Sequence, residues 1–405
     1  LRKTAVRAAG VLAAVTMLAS ACGGGDDEGT SAGGSVKVGL LMSQSGPASA
    51  AFKGVDQAMQ ARFKAYQASG GPCSSTQFNL VTADDQSGPQ GALAGAQKLI
   101  QQDKVYAMVG ISSYFFGAAQ FVTTAGKSTP VIGGAFDAAP QWLQSGNNLF
   151  AAAPKVPDFD KTYATIGEYW KKMGVTKVAA VSYDTESSRK GAEQILRSAD
   201  KAGLQRGLFY DKLALGSSDV GSIVLGIKNS GAQAVFLPVN PETSMAIIAG
   251  LKQSGVQLKS VMSASGYGGD LLASAPAVKG AQGMTFMPQF SPVELNTPAT
   301  QKYSEALKKY AGSATGIPTF GQTYGWWAAD LLIYGLEKAG CDASQADFMT
   351  TLRADENWDA GGLFPLKRSF TKISPDKECY YLIDLQGNAF VPRKDAEPVC
   401  GDVIK

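Results

Sequence analysis

The chain has 405 residues, 45% hydrophobic and 18% charged, which suits an ordinary globular protein of two or three domains. Basic and acidic residues nearly balance, 37 against 34, so a surface built for nucleic-acid phosphates is not expected. Histidine is absent, which removes the commonest general base, the commonest zinc ligand and the serine–histidine nucleophile together.

Arg2, Lys3 and Arg7 precede an apolar run at 8–19, followed by Ser20-Ala21-Cys22. A basic start, a short apolar stretch and small residues describe a secretory signal peptide over 1–21. The run is too short to cross a hydrocarbon layer of ~30 Å as a helix. Without this segment the count becomes 34 basic against 34 acidic. The cysteine after the small residues resembles the lipobox of bacterial lipoproteins, whose cysteine is acylated and becomes the new N-terminus. Here Leu18 stands one place before its usual position and Ala19 takes its slot. The resemblance implies a lipid on Cys22 and an extracytoplasmic location, anchored to the outer face of the cell membrane. Residues 22–35 are rich in Gly, Ser and acids and read as a flexible tether. No other run approaches spanning length, so the lipid is the only membrane attachment expected.

From residue 36 short apolar runs alternate with amphipathic helical stretches. Strands are expected at 36–41, 77–81 and 106–109, with helices at 52–68, 91–101 and 115–125. The theme recurs with strands at 178–181, 234–237 and 259–262. Ala192, Ile195, Ala199 and Ala202 keep helical spacing, as do Val220, Ile223, Val224 and Ile227. Asn240-Pro241-Glu242 reads as an N-cap, a proline at the first helical position and an acid in the first turn. Gly203 stops the helix before it. Long helices are expected at 300–310 and 321–338, then β-rich runs at 379–385 and 389–391 joined by the hairpin turn Gln386-Gly387-Asn388. This rhythm predicts an α/β fold of parallel sheets flanked by helices, in two lobes separated near 151–155.

Cys73, Cys341, Cys379 and Cys400 remain beside Cys22. An even number in an oxidising compartment predicts two disulfides, with three pairings open. Their spacings fit no zinc motif, and no metal or cofactor is expected. Ser187-Ser188-Arg189-Lys190 contains the Ser-x-x-Lys spacing of penicillin-recognising enzymes, but no Lys-Thr-Gly completes the set. No nucleophile elbow or Walker loop is present either, so the chain reads as a binding protein and not an enzyme.

Several motifs occur in a consistent order. Val38-Gly39-Leu40-Leu41 leads to Ser45-Gly46-Pro47, Asp84-Asp85 to Gly88-Pro89, and Val109-Gly110-Ile111 to Ser112-Ser113. Pro130-Val131-Ile132 precedes a turn of small residues. Asn240-Pro241-Glu242, Lys279-Gly280-Ala281-Gln282-Gly283-Met284 and Trp358-Asp359-Ala360-Gly361-Gly362-Leu363 follow. This series, over about 36–393, resembles the type I solute-binding proteins of ABC importers, the group related to branched-chain amino acid receptors. The resemblance implies a two-lobed fold with crossovers near 152–155, 287–291 and 358–362. Lobe one would be 36–152 with 290–358, lobe two 154–288 with 362–393, and 394–405 a C-terminal tail. Relatives bridge a cysteine before the last helix to one before the C-terminal hairpin, which implies Cys341–Cys379 and leaves Cys73 with Cys400. The implied partners are a small solute and an ABC permease, and the implied state is a monomer. A lipid-anchored sensor acting through a membrane signalling partner would use the same closing lobes.

Carried onto this sequence, the resemblance places Ser112 and Ser113 against a ligand carboxylate, with Ala135 and Phe136 in a second contacting loop. Phe136 stands where amino acid receptors usually carry Thr. In lobe two it points to Ser188, Asn240, Ser265 and Tyr267. Ser265 occupies the place of the acid that pairs a ligand ammonium, and Ser188 that of a stacking Tyr. A buried ammonium without a carboxylate is costly, so Asp137, Asp184 and Glu186 are the acids that could replace it. Tyr114, Phe115, Phe116, Trp326 and Trp327 add aromatic density, with Trp326 expected at the ligand. The expected solute is amino acid-like, an amide, or an apolar or aromatic carboxylate.

Overall fold

A computed structural model describes residues 34–214, 217, 219–393 and 397–404. The signal peptide, Cys22 and nearly all of the tether lie outside the described residues. The strands are β1 (Ser35–Met42), β2 (Gln77–Asp84), β3 (Ala107–Ile111), β4 (Val131–Gly133), β5 (Leu149–Ala151), β6 (Lys177–Tyr183), β7 (Gln205–Leu213), β8 (Ala234–Leu237), β9 (Ser260–Ser263), β10 (Thr285–Phe286), β11 (Lys377–Tyr380), β12 (Ile383–Gln386), β13 (Ala389–Pro392) and β14 (Val399–Asp402). One sheet runs β2-β1-β3-β4-β5, all parallel. The second runs β7-β6-β8-β9-β10, again parallel, and continues through antiparallel β12 and β13. The two sheets therefore share one winding order, with its switch point between β1 and β3 in one and between β6 and β8 in the other. In open sheets of this order ligands bind beyond the carboxyl ends of the strands at the switch point.

Both sheets are covered on both faces. Val36, Val38, Leu40 and Met42 point into a core shared with helices Val55–Gln67 and Phe320–Ala339, while Leu41 joins helices Pro89–Gln97 and Phe116–Thr123 on the other side. Such strands read as apolar runs because neither face meets water. In the second sheet Ala179 and Val181 face helices Gly221–Ser230 and Pro241–Gln253, and Val178 and Ala180 face Thr165–Lys172 and Glu186–Lys201. Helix Phe320–Ala339 approaches Val55–Gln67 so closely that a Cβ at Gly325 would lie 2.2 Å from the Val55 carbonyl oxygen. At the same joint Arg62 Nε meets Asp330 Oδ1 at 2.8 Å, and Asp330 Oδ2 accepts from Trp358 Nε1 at 2.8 Å.

Several expectations need correcting. The disulfides are Cys73–Cys341 and Cys379–Cys400, not Cys341–Cys379 and Cys73–Cys400. Cys73 and Cys341 each follow one of the two packed helices, which brings their Cα atoms to 5.3 Å. Cys379 and Cys400 are direct cross-strand partners in β11 and β14, with Cα atoms 4.1 Å apart. The run expected at 379–385 is two strands in different sheets. Residues 399–402, assigned to a tail, are β14, and Ala164 N donates to Asp402 O at 3.0 Å beneath it. Leu363, Phe364 and Phe370, placed with the second lobe, pack into the core of the first.

The crossover at Pro154-Lys155 meets β11 in a buried ion pair, Lys155 with Glu378. Tyr380 Oη lies 3.2 Å from Lys155 Nζ, and the Tyr163 ring centroid 4.9 Å from it. Burial works against the charge on Lys155, but Glu378 and the two tyrosines outweigh it and raise the pKa. Removing one partner of such a pair strands a buried charge, at about 3–5 kcal/mol. Lys155→Met should cost that much in denaturant unfolding, and Lys155→Met with Glu378→Met clearly less. Peptide mapping without reduction should recover the 73–341 and 379–400 linkages. Cys73→Ser should lower stability by about 2–5 kcal/mol.

Candidate functional site

The loops leaving β1, β2 and β3 are wired together by two adjacent acids. Asp84 Oδ1 accepts from the backbone of Gln44 and Ser45 at 2.9 and 3.2 Å, and its Oδ2 accepts from Ser45 Oγ at 2.6 Å. Burial opposes the charge on Asp84, but these bonds hold its carboxyl below the usual range. Asp85 is fully buried, accepts from Ser87 N at 2.7 Å and receives the Ser112 hydroxyl. Ser112 Oγ in turn accepts from Tyr114 N at 2.9 Å. The Ser112 side chain is thus committed to shaping its loop. Ser113 beside it is exposed, ahead of helix Phe116–Thr123.

The loop after β4 holds Ala135 and Ala138 in the left-handed region, at φ 56° and 64°. Such backbone is strained for alanine and persists only where its surroundings impose it. Asp137 supplies that constraint, with its Oδ1 accepting from Trp142 Nε1 at 2.7 Å. Its Oδ2 is buried without a partner. Burial pushes the Asp137 carboxyl up to about 7, against the lowering bond from Trp142. The loop presents half-buried Phe136 to Phe52, Phe320 and Tyr324, at centroid distances of 5.9, 5.5 and 4.8 Å.

In the second lobe most of the expected side chains are also occupied. Ser188 Oγ donates to Pro238 O at 2.7 Å and accepts from Tyr183 N at 3.1 Å. Asn240 Oδ1 caps helix Pro241–Gln253 by accepting from Thr243 N at 3.2 Å. Ser265 Oγ donates to Val239 O at 2.8 Å. Tyr267 packs against the cores of both lobes, 5.9 Å from Phe290 and 4.9 Å from Phe390. Its hydroxyl donates to Glu294 Oε2 at 2.7 Å and accepts from Val293 N at 2.9 Å. The two sets of loops meet directly: Ser187 Oγ donates to Phe136 O at 3.0 Å.

Trp326 departs from expectation. It lies in the first-lobe core, 4.7 Å from the Tyr303 ring and 5.5 Å from the Arg62 guanidinium carbon. Its neighbour Trp327, also buried, packs on Tyr324 and Phe290 at 5.0 and 5.2 Å, and Phe290 in turn touches Tyr267. A helix turns 100° between successive residues, so an apolar helical run alone does not say which of two tryptophans faces inward. Phe115 is likewise core, against Trp142, whereas Phe116 is 49% exposed. Asp184 and Glu186 face Arg189 and Lys190 on the surface. Sequence reasoning missed Phe320, Tyr324 and Glu294, whose neighbours in the chain carry no motif, and met Ser187 only as part of a Ser-x-x-Lys spacing, not as a contact between the loops. Among the described residues no group of His, Cys, Asp and Glu could hold a metal ion.

Asp137 gives stability a definite pH dependence. A folded pKa near 7, above the unfolded 3.8, means the native state holds the proton more tightly. Its contribution is complete below about pH 4, declines as pH rises and levels off above about pH 7, by at most ~4 kcal/mol. Asp137→Asn should flatten that limb, read as a smaller fall in Tm between pH 5 and 8.

The sequence matches the model of the periplasmic binding protein family over residues 35–388. A curated relative, an amino acid binding protein of Pseudomonas aeruginosa, is 28% identical over 202 residues, 49% of this chain and 52% of that protein. The chain thus spans about half the length of the curated relative it matches. A Rhodopseudomonas palustris ABC-transporter solute-binding protein, solved with benzoate, superposes with TM-score 0.70 at 19% identity, covering 92% of this chain and 98% of that one. A Thermus thermophilus branched-chain amino acid ABC transporter protein with bound valine gives TM-score 0.71 at 18% identity, over 90% and 96%. A fatty acid ABC transporter substrate-binding protein of Thermomonospora curvata gives 0.70 at 19%, over 91% and 92%. These likenesses establish the type I two-lobed α/β fold. The family is one of extracytoplasmic solute-binding proteins and not of enzymes. Twin sheets of one winding order, loops meeting at their carboxyl ends and a family match along most of the sequence agree: the chain belongs to the periplasmic binding protein family.

Proposed function

We propose that this protein captures a small solute between its lobes and delivers it, as a monomer, to an ABC permease, held near that permease by a lipid on Cys22. The observation that carries the reading is the contact of Ser187 with the Phe136 carbonyl, which joins the carboxyl-end loops of the two sheets. A solute bound on one lobe's loops meets the other lobe on closure, and hinge motion is the means.

The wiring indicates which groups meet the solute. The hydroxyls of Ser112, Ser188 and Ser265 are bonded within the protein, so they position main chain. The backbone N–H of Ser113, ahead of helix Phe116–Thr123, suits a carboxylate, whereas that of Tyr114 is taken by Ser112 Oγ. Ser113 adds a free-standing hydroxyl, Ala135 lets the ligand approach the backbone, and Phe136 and Tyr267 supply the walls. The aromatic surround favours apolar or aromatic bulk. The solved proteins with bound benzoate and bound valine support the aromatic-carboxylate and amino acid-like parts of the range we assign, which also takes in amides and apolar carboxylates.

A thermal-shift screen over amino acids, amides, aromatic acids and short-chain carboxylates tests the reading. A solute at a hundred times its Kd adds ~2.7 kcal/mol, a clear rise in Tm. Phe136→Ala should weaken the solute so found about tenfold, the worth of one ring contact of ~1.4 kcal/mol. A screen with no shift for any of these classes would refute it.

A further inference from the structure

Glu294 sits in the turn Val293–Leu295, on the segment that carries the chain from β10 back to the first lobe. One carboxylate oxygen, Oε2, takes the Tyr267 hydroxyl at 2.7 Å. The other, Oε1, is buried and has no hydrogen-bond partner. Tyr267 cannot serve it, because that phenol has a single proton, which already goes to Oε2. Burial raises the Glu294 carboxyl above its ordinary range, against the lowering bond from Tyr267. Buried polar atoms are nearly always paired, so an acceptor left in this way calls for a donor.

Its position says where the donor comes from. Tyr267 leaves the carboxyl end of β9, the edge of the sheet where ligands bind, and its ring touches both cores. The loop itself offers no acid, and Ser265 has spent its hydroxyl on Val239 O. A second orphan lies along the same wall. Trp327, reached from Tyr267 through Phe290 at 5.9 and 5.2 Å, has a buried indole N–H without an acceptor. An unmet acceptor and an unmet donor beside one junction fit a solute that carries both kinds of group.

Resting on the capture reading above, we propose that Glu294 is a specificity residue of the interlobe site. Its Oε1 receives a donor on the solute: an ammonium, an amide N–H or a hydroxyl. The acid that the loop after β9 lacks is thus supplied by the crossover segment, and closure brings it to the ligand.

Titration calorimetry with two matched probe pairs tests this: 3-phenylpropanoate against phenylalanine, and benzoate against 4-hydroxybenzoate. The wild type should favour the donor-bearing member of at least one pair by about tenfold or more, within the discrimination of a buried hydrogen-bonding site. Glu294→Gln should abolish that preference while leaving the donor-free probe within about twofold. Tyr267→Phe removes the phenol clasp but keeps Oε1, so the preference should survive. Absence of preference in the wild type, its persistence in Glu294→Gln, or equal weakening of all probes by both variants would overturn the assignment while leaving capture intact. Failure of all four probes to bind also overturns it, and the capture reading falls only if the wider screen finds no solute.

Discussion

The first lobe depends on one buried joint between segments far apart in the chain. Arg62 and Asp330 are 268 residues apart, yet their ion pair lies between two helices that cover the same face of the first sheet. A buried pair of this kind adds little net stability when measured against a hydrophobic replacement, but its geometry admits only one register. Trp358 shares the Asp330 carboxylate, so the segment that follows helix Gln345–Arg353 is tied to the same joint. Gly325 permits the close helix approach, and Cys73–Cys341 closes the far end of the joint. Once this face is covered, the carboxyl ends of β1, β3 and β4 are the part of the sheet left to carry loops toward the other lobe.

Those loops divide their labour. Hydroxyl and carboxylate side chains, chiefly Asp84, Asp85, Ser112, Ser188 and Ser265, are spent on holding main chain in place. Aromatic rings pack beside them: Phe136 on Phe320 and Tyr324, Tyr324 on Trp327, and Tyr267 against the cores of both lobes. In the proposed site such a division would leave the polar framework fixed before a solute arrives, which limits the ordering cost of binding. It also explains why several residues in motif positions make no free contact: their chemistry is directed inward, at the loop that bears them.

Much of the fold was legible in the chain. The run at 234–237 matches β8, and Asn240-Pro241-Glu242 caps its helix as the residue types require. What escaped notice follows physical rules. β4, β5 and β10 have only three, three and two residues, too few for any period to show. β7 carries charges on its exposed positions at a sheet edge, so its apolar signal is diluted. The disulfide pairing depends on which helices pack together, for Cys73–Cys341, and on which strands pair, for Cys379–Cys400, and local sequence encodes neither. Glu294 was invisible for the same reason, and the Ser-x-x-Lys spacing around Ser187 said nothing of Phe136: each residue meets its partner only once the chain has folded.

The order of the chain has a consequence for how the molecule is made. Strands β6 to β10 and their helices occupy one uninterrupted stretch, so the parallel core of the second lobe is complete once residue 286 has emerged. The first lobe, although it begins earlier, cannot cover one face of its sheet until helices Pro298–Tyr310 and Phe320–Ala339 arrive. Until then Val36, Val38 and Leu40 have only helix Val55–Gln67 to cover them, and the Cys73 thiol has no partner. Incomplete apolar faces of this kind are where nascent chains aggregate. The first lobe is therefore begun before the parallel core of the second and covered only after it, while β12 and β13 join the second sheet last of all.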